Sequence, residues 1–247
     1  RGGFKRMVQV AQKGVPFMAI LYIFGGVVVI ISNITALPEV IGEIFTHAFT
    51  FKAGAGAAAG ITIREAMRYG VARGLYSNEA GEGSAAVLHS TSNTEVPIEQ
   101  GLYGIIEVFV DTMIICSTTG FALLCSGVNL QGANAATIAV DAFSSVFSPM
   151  GYIVNISLIL FAGTSLMSQW YFGHVSLLYF KSEFAVKLYR LLFPLAIIFG
   201  SYSTINVVWS IQDCALGLLI IPNILTLLIY IPTIRKRTKE HFSQSEL

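Results

Sequence analysis

Apolar runs close to membrane-crossing length constrain this chain more than any other feature. Residues 15–34, 102–128, 152–180, 186–203 and 207–231 are dominated by Ile, Leu, Val, Phe, Ala and Gly, with few charges inside them. A helix needs about 20 residues to cross a hydrocarbon core of about 30 Å. Lipid offers no hydrogen bonds, so a crossing segment must satisfy its own backbone, and a helix does so within one segment. The chain is 54% hydrophobic and only 12% charged, against roughly one quarter charged in an average soluble domain. These features predict an all-α polytopic membrane protein whose main partner is the lipid bilayer.

Charge excludes other classes. The formal net charge is +1, and Lys and Arg gather at the ends of the apolar runs instead of forming a basic field, which argues against a nucleic-acid partner. Cys116, Cys125 and Cys214 lie in apolar surroundings without paired-cysteine or Cys/His spacing and read as packing thiols. The chain opens on Arg1 followed by a glycine pair and basic residues, resembling a loop between two helices. We therefore expect a piece of a longer protein, with a missing N-terminal half as its partner.

Residues 39–53 carry Glu43, His47 and Lys52 among aromatics and suit a short interfacial helix and a loop. Residues 54–92 contain no clean apolar twenty-mer. A Gly/Ala stretch with Gly54, Gly56 and Gly60 leads through Arg64, Glu65, Arg68 and Arg73 into GLYSNEAGEGSAAVLHS. A charged, glycine-interrupted segment between apolar spans has the signature of a discontinuous membrane helix. With it, the chain makes about six passes. Lys5 and Arg6, then Lys181, Lys187 and Arg190, then Arg235, Lys236, Arg237 and Lys239 mark the cytoplasmic ends, so the C-terminus is expected in the cytoplasm.

The densest chemical signal is RGLYSNEAGEGS, residues 73–84. Gly74, Gly81 and Gly83 allow the backbone to leave helical geometry and present amide and carbonyl groups to a ligand. An amino acid fits, its carboxylate on N–H groups of a half-helix and its ammonium on carbonyls. A kink packed through small residues, Gly56/Gly60 and Gly70/Gly74, is the alternative. Tyr76, Ser77, Asn78, Gly81 and Gly83 are the candidate substrate contacts. Glu79 is expected in a structural ion-pair network with Arg73, Arg64 or Arg68, and Glu82 against an aqueous vestibule. Glu107 and Asp111, four apart, are expected on one helical face.

A second signal runs from Phe161 to Trp170. Thr164 and Ser165 place two hydroxyls deep in an apolar span; with a carbonyl from Phe161 or Ala162 they form hard oxygen ligands suited to sodium. Helical hydroxyls also commonly bond the carbonyl four residues back, which is the competing reading. Gln169 and Trp170 offer an amide and a ring that can close over a small substrate. Asn155, His174, Asn206 and Asp213 form no triad or metal spacing and read as packing or pore-lining groups.

RGLYSNEAGEGSAA resembles the hallmark of the sodium:alanine (alanine or glycine:cation) symporter family, close to RG(L/V)FSNEAG(M/L)GSAP, and the resemblance extends through RMVQVAQKGVPFMAILYI, VFVDTMIICSTTGF and the WYFG region. It implies sodium-coupled symport of a small neutral amino acid, alanine or glycine, in a bacterial or archaeal plasma membrane. Sodium is the coupling ion, and no other cofactor or covalent chemistry is implied. It further implies the second half of a LeuT-type five-plus-five inverted-repeat transporter. On that frame 1–53 hold the last helix of the first repeat and a connection, 54–232 the second repeat with its broken helix 54–92, and 233–247 a cytoplasmic tail. The third helix of that repeat would bring Thr164 and Ser165 to the sodium. Tyr76 stands where the family usually has Phe, Glu82 replaces an apolar residue, Ala86 replaces Pro, and Gln169 lies where Trp is frequent. Substrate choice is what these departures touch. Alternatives are a proton-coupled or channel-like protein or a non-transporting fragment; an intramembrane hydrolase lacks a His base.

Overall fold

The computed structural model describes residues 3–49, 63–129 and 137–244, with side chains over 14–46, 69–129 and 137–243. The glycine stretch Gly54, Gly56 and Gly60 and the side chains of Lys5, Arg6, Arg64 and Arg68 lie outside them. The described residues are helical between short turns: α1 (Gly3–Ser32), α2 (Leu37–Phe49), α3 (Ile63–Asn78), α4 (Ser84–His89), α5 (Pro97–Phe109), a π-helical stretch (Val110–Cys116), α6 (Ser117–Cys125), α7 (Ile138–Ser144), α8 (Pro149–Tyr179), α9 (Glu183–Tyr202) and α10 (Ile205–Gln244). Among the described residues five helices are long and apolar enough to cross a membrane: Gly14–Ser32, Pro97–Cys125, Pro149–Tyr179, Glu183–Tyr202 and Ile205–Ser243. Their outward side chains are apolar, as with Ile20 at 68% exposure and Ile229 at 75%. A helix in water shows the opposite arrangement, so the protein is a multi-pass membrane protein.

Two features depart from the sequence expectation. The run 102–128 is not one continuous α-helix, because Val110–Cys116 widens to π geometry, a form that recurs at functional sites. No Pro or Gly marks this stretch. The last span does not stop at Pro232. α10 carries both Pro222 and Pro232 inside it and continues through the basic run to Gln244. A proline deletes one helical bond and bends the helix without obliging it to end. The Lys236–Glu240 pair, 3.9 Å apart and one turn on, supports the continuation.

The chain divides into two compact units, one drawing on residues up to Arg68 and on Val110–Ser168, the other on Tyr69–Phe109 and Gln169–Leu247. The first has an aromatic core. Phe143 and Val29 are fully buried beside Tyr22, Ala122, Met150 and Val154, and Tyr22 stacks at a tilt on Phe143 with ring centroids 5.2 Å apart. The Tyr22 hydroxyl shares a 3.0 Å hydrogen bond with Thr119, the partner a buried phenol needs. Gly25 and Gly26 let Phe143 and Thr118 press against α1, since a β-carbon at either would crowd them.

In the second unit α8 turns into α9 at Lys181, whose φ of 52° is left-handed. Ser182 then caps α9 by accepting from the Ala185 amide at 3.3 Å. Farther along, Gly173 leaves room for the Tyr189 ring, whose hydroxyl lies 3.3 Å from the carbonyls of Gln169 and Trp170.

Candidate functional site

The helix break sits where the glycine-rich motif ends. α3 stops at Asn78, whose Oδ1 accepts the Ala80 amide at 3.0 Å and bends the chain. Glu79 (φ 53°), Gly81 (101°) and Gly83 (85°) then take left-handed conformations before α4 begins at Ser84. For Glu79 that conformation is strained, by roughly 1–3 kcal/mol, and two bonds hold it. The Ser84 hydroxyl donates to Glu79 Oε2 at 2.8 Å, and the Glu82 amide donates to the Glu79 carbonyl at 3.2 Å. Gly83 is required twice over: its φ is positive, and an added β-carbon would come within 2.9 Å of Asn223 Oδ1.

α10 braces this break. Arg73 Nη2 lies 2.6 and 2.8 Å from the two Asp213 carboxylate oxygens, and the guanidinium sits 3.8 Å from the centre of the Trp209 ring. Charge pairing and cation–π attraction therefore act on one group. Tyr76 meets the same indole edge-on at 5.5 Å. Lower on α10, the Asn223 amide donates to the Gly81 carbonyl at 2.8 Å, occupying a backbone group that the break had freed. Beside Tyr76 and Trp209 opens a groove of about 400 Å³ that Ser203, Val208 and Gln212 also line.

Among the described side chains these contacts differ from the expected Arg73–Glu79 pair; Arg64 and Arg68, the other expected partners of Glu79, lie outside them. The carboxylate on Arg73 is Asp213, and the partner of Glu79 is Ser84. Arg73 belongs to the helical part of the motif and faces α10, whereas the left-handed turn at Glu79 directs its carboxylate back onto the start of α4. Glu82 is not at a vestibule surface either. It is 9% exposed, and its Oε1 has no hydrogen-bond partner among the described residues. Glu107 is held by His89, Nε2 to Oε2 at 3.2 Å. The other His89 nitrogen is 2.6 Å from the Gln100 amide, and Gln100 Oε1 in turn accepts from Thr94 at 2.9 Å. Asp111 lies in the π-helical stretch that continues the helix of Glu107.

The structure brings Arg73, Tyr76, Gly81 and Gly83 together against α10. Ser77 is exposed and Asn78 half-buried at the end of α3. Gln169 and Trp170 stand on α8 beside α9, and Trp170 stacks on His174 at 4.8 Å and 12°. Phe161, Ala162, Thr164 and Ser165 belong to the first unit. There the Thr164 hydroxyl is within 3.1 Å of the Leu160 carbonyl and 2.9 Å of the Phe161 carbonyl. The hydroxyl proton serves the helix, and the oxygen lone pairs remain for a cation. Ala162 and Ser165 are exposed. Among the described residues no group of three or more His, Cys, Asp or Glu is placed to hold a metal ion.

Asp213, Trp209 and Asn223 are the site residues that sequence reasoning missed. Asp213 did carry a signal, because a lone carboxylate in an apolar run demands a cation from another element. Asn223 between prolines and leucines carried none.

Known proteins share this sequence over nearly its full extent. The YflA protein of Bacillus subtilis, an uncharacterized transporter, is 34% identical over 99% of this chain and 53% of its own length. The sodium/alanine symporter AgcS of Methanococcus maripaludis is 34% identical over 96% of the chain and 52% of its own length. A probable sodium/glutamine symporter of Bacillus subtilis, GlnT, is 33% identical over 99% and 51%. The chain thus spans about half the length of the curated relatives it matches. The sequence profile of the sodium:alanine symporter family matches residues 1–247. With the motif of residues 73–84 folded into a braced helix break and the profile satisfied from end to end, the chain belongs to the sodium:alanine symporter family.

Proposed function

We propose that this chain is the second-repeat part of a secondary active transporter that couples inward sodium movement to uptake of a small neutral amino acid, alanine or glycine. The observation that supports this most is the break at Glu79–Gly83, where three left-handed residues interrupt helical bonding in a chain that has five membrane-length helices among the described residues. Such a break offers what a zwitterion needs. N–H groups at the start of a helix meet the carboxylate, and freed carbonyls meet the ammonium. Tyr76, Ser77, Asn78, Gly81 and Gly83 make these contacts in this reading, with Gln169 and Trp170 closing over the substrate. Thr164 and Ser165, with carbonyls of Phe161 or Ala162, supply oxygens to sodium. Ion and substrate stabilise the same closed arrangement, which is how one gradient drives the other. No bond of the substrate is made or broken.

The test is uptake of labelled alanine and glycine by the full-length protein in liposomes, under sodium, choline and proton gradients. Saturable accumulation driven by sodium is the expected result. Accumulation with choline alone, or flux that never saturates, would remove the symport reading. Replacing Thr164 and Ser165 together by Ala is expected to raise the sodium concentration for half-maximal uptake about tenfold, roughly 1.4 kcal/mol; an unchanged sodium dependence would remove those residues from the ion site.

A further inference from the structure

The mechanism proposed above leaves a buried carboxyl group unused. Glu82 is 9% exposed and its Oε1 meets no hydrogen-bond donor among the described residues. An ionised carboxylate out of water is far more costly than a neutral polar group unless a counter-charge compensates it. Among the described residues the neighbouring groups do not provide one. Glu79, three residues earlier, adds like charge to the same turn, and Tyr76 brings a phenol within electrostatic reach of both carboxylates. From α10 the turn is met by Asn223, which is neutral and donates its amide to the Gly81 carbonyl. Arg73 pairs with Asp213 through Nη2, while its Nη1 is buried without a hydrogen-bond partner among the described residues. Glu107 acts on Glu79 from α5, but its own partner is His89. The turn therefore concentrates negative charge around an unsatisfied buried oxygen.

We propose that the turn carrying Glu79 and Glu82 binds one monovalent cation, a proton or a sodium ion, on the free oxygen of Glu82. A proton needs only that oxygen. Sodium would draw on further hard oxygens, the Glu79 carboxylate and Asn223 Oδ1, which faces Gly83. The site rests on the geometry of the turn, not on the transport reading. If that reading also holds, the bound charge favours the arrangement in which Glu82 is enclosed, and opening the turn to water releases it.

The experiment compares full-length wild type with Glu82→Gln and Glu82→Leu by thermal unfolding midpoint in three buffers: alkaline choline, alkaline sodium and acidic choline. Wild type is expected to gain several degrees in sodium, in acid, or in both. A sodium gain smaller than wild type's in both variants assigns sodium, the remainder belonging to Thr164 and Ser165, and loss of the acid gain assigns the proton. Glu82→Leu also removes the need for a hydrogen bond, so in alkaline choline it is expected to unfold above wild type even if Glu82→Gln does not fold. Variants that keep both gains, or a wild type indifferent to both conditions, overturn the site. Uptake is measured in parallel. Sodium-driven uptake with unchanged variant responses sinks the site alone, and cation responses without uptake sink the transport reading alone.

Discussion

Gly83 shows how much one missing β-carbon decides. Gly81 and Gly83 both have positive φ, but only at Gly83 would a β-carbon also meet Asn223. Gly81→Ala should therefore cost the strain of a left-handed alanine, about 1 kcal/mol, and Gly83→Ala about 2–3 kcal/mol, because Asn223 must move as well. Unfolding midpoints of the two variants give the comparison, and equal losses would contradict the contact. Asn223→Ala leaves the Gly81 carbonyl without its donor and should cost about 1–3 kcal/mol. If Asn223 only fills space, Asn223→Leu would match wild type in the same measurement. The sequence motif marked both glycines as places where the backbone can turn. It gave no sign that Asn223, more than a hundred positions later, sets which of them tolerates change.

The interaction of α3 with α10 is where pairwise energetics can be isolated. Arg73 and Asp213 are each about 30% exposed at the side chain, so the pair is shielded enough to count beyond a surface ion pair. Asp213→Asn should destabilise the protein more than the double variant Arg73→Gln/Asp213→Asn, since the single change strands a cation over Trp209. A double-mutant cycle in unfolding free energy is expected to return a coupling of about 1–3 kcal/mol, and a value near zero would show the pair to be incidental. The cost of a carboxylate at membrane depth predicted an arginine partner for Glu79, with Arg73 among the candidates. Contacts between helices obey the geometry of their faces instead, and the end of α3 at Asn78 removed Glu79 from the face that Arg73 occupies.

For the chain as a whole, the distribution of Lys and Arg predicts orientation in the membrane. The basic end of α10, with Arg235, Lys236, Arg237 and Lys239, should remain on the cytoplasmic side. A single cysteine placed at Thr238, after removal of the native cysteines, is expected to react with a membrane-impermeant thiol reagent only when that side is open. Labelling from outside intact cells would reverse the assigned topology. The apolar runs alone determined that the chain is helical and membrane-embedded, because lipid imposes a length and a self-satisfied backbone that can be read residue by residue. The glycine-rich motif likewise disclosed where a helix would break, since positive φ is a local property. Only the tertiary structure decided that Arg73 pairs with Asp213, that Asn223 donates to the Gly81 carbonyl, that Val110–Cys116 widens to a π-helix and that Glu82 Oε1 is buried without a hydrogen-bond partner among the described residues. Each of these depends on which faces meet after the helices pack, and that is set by contacts between positions far apart in the chain.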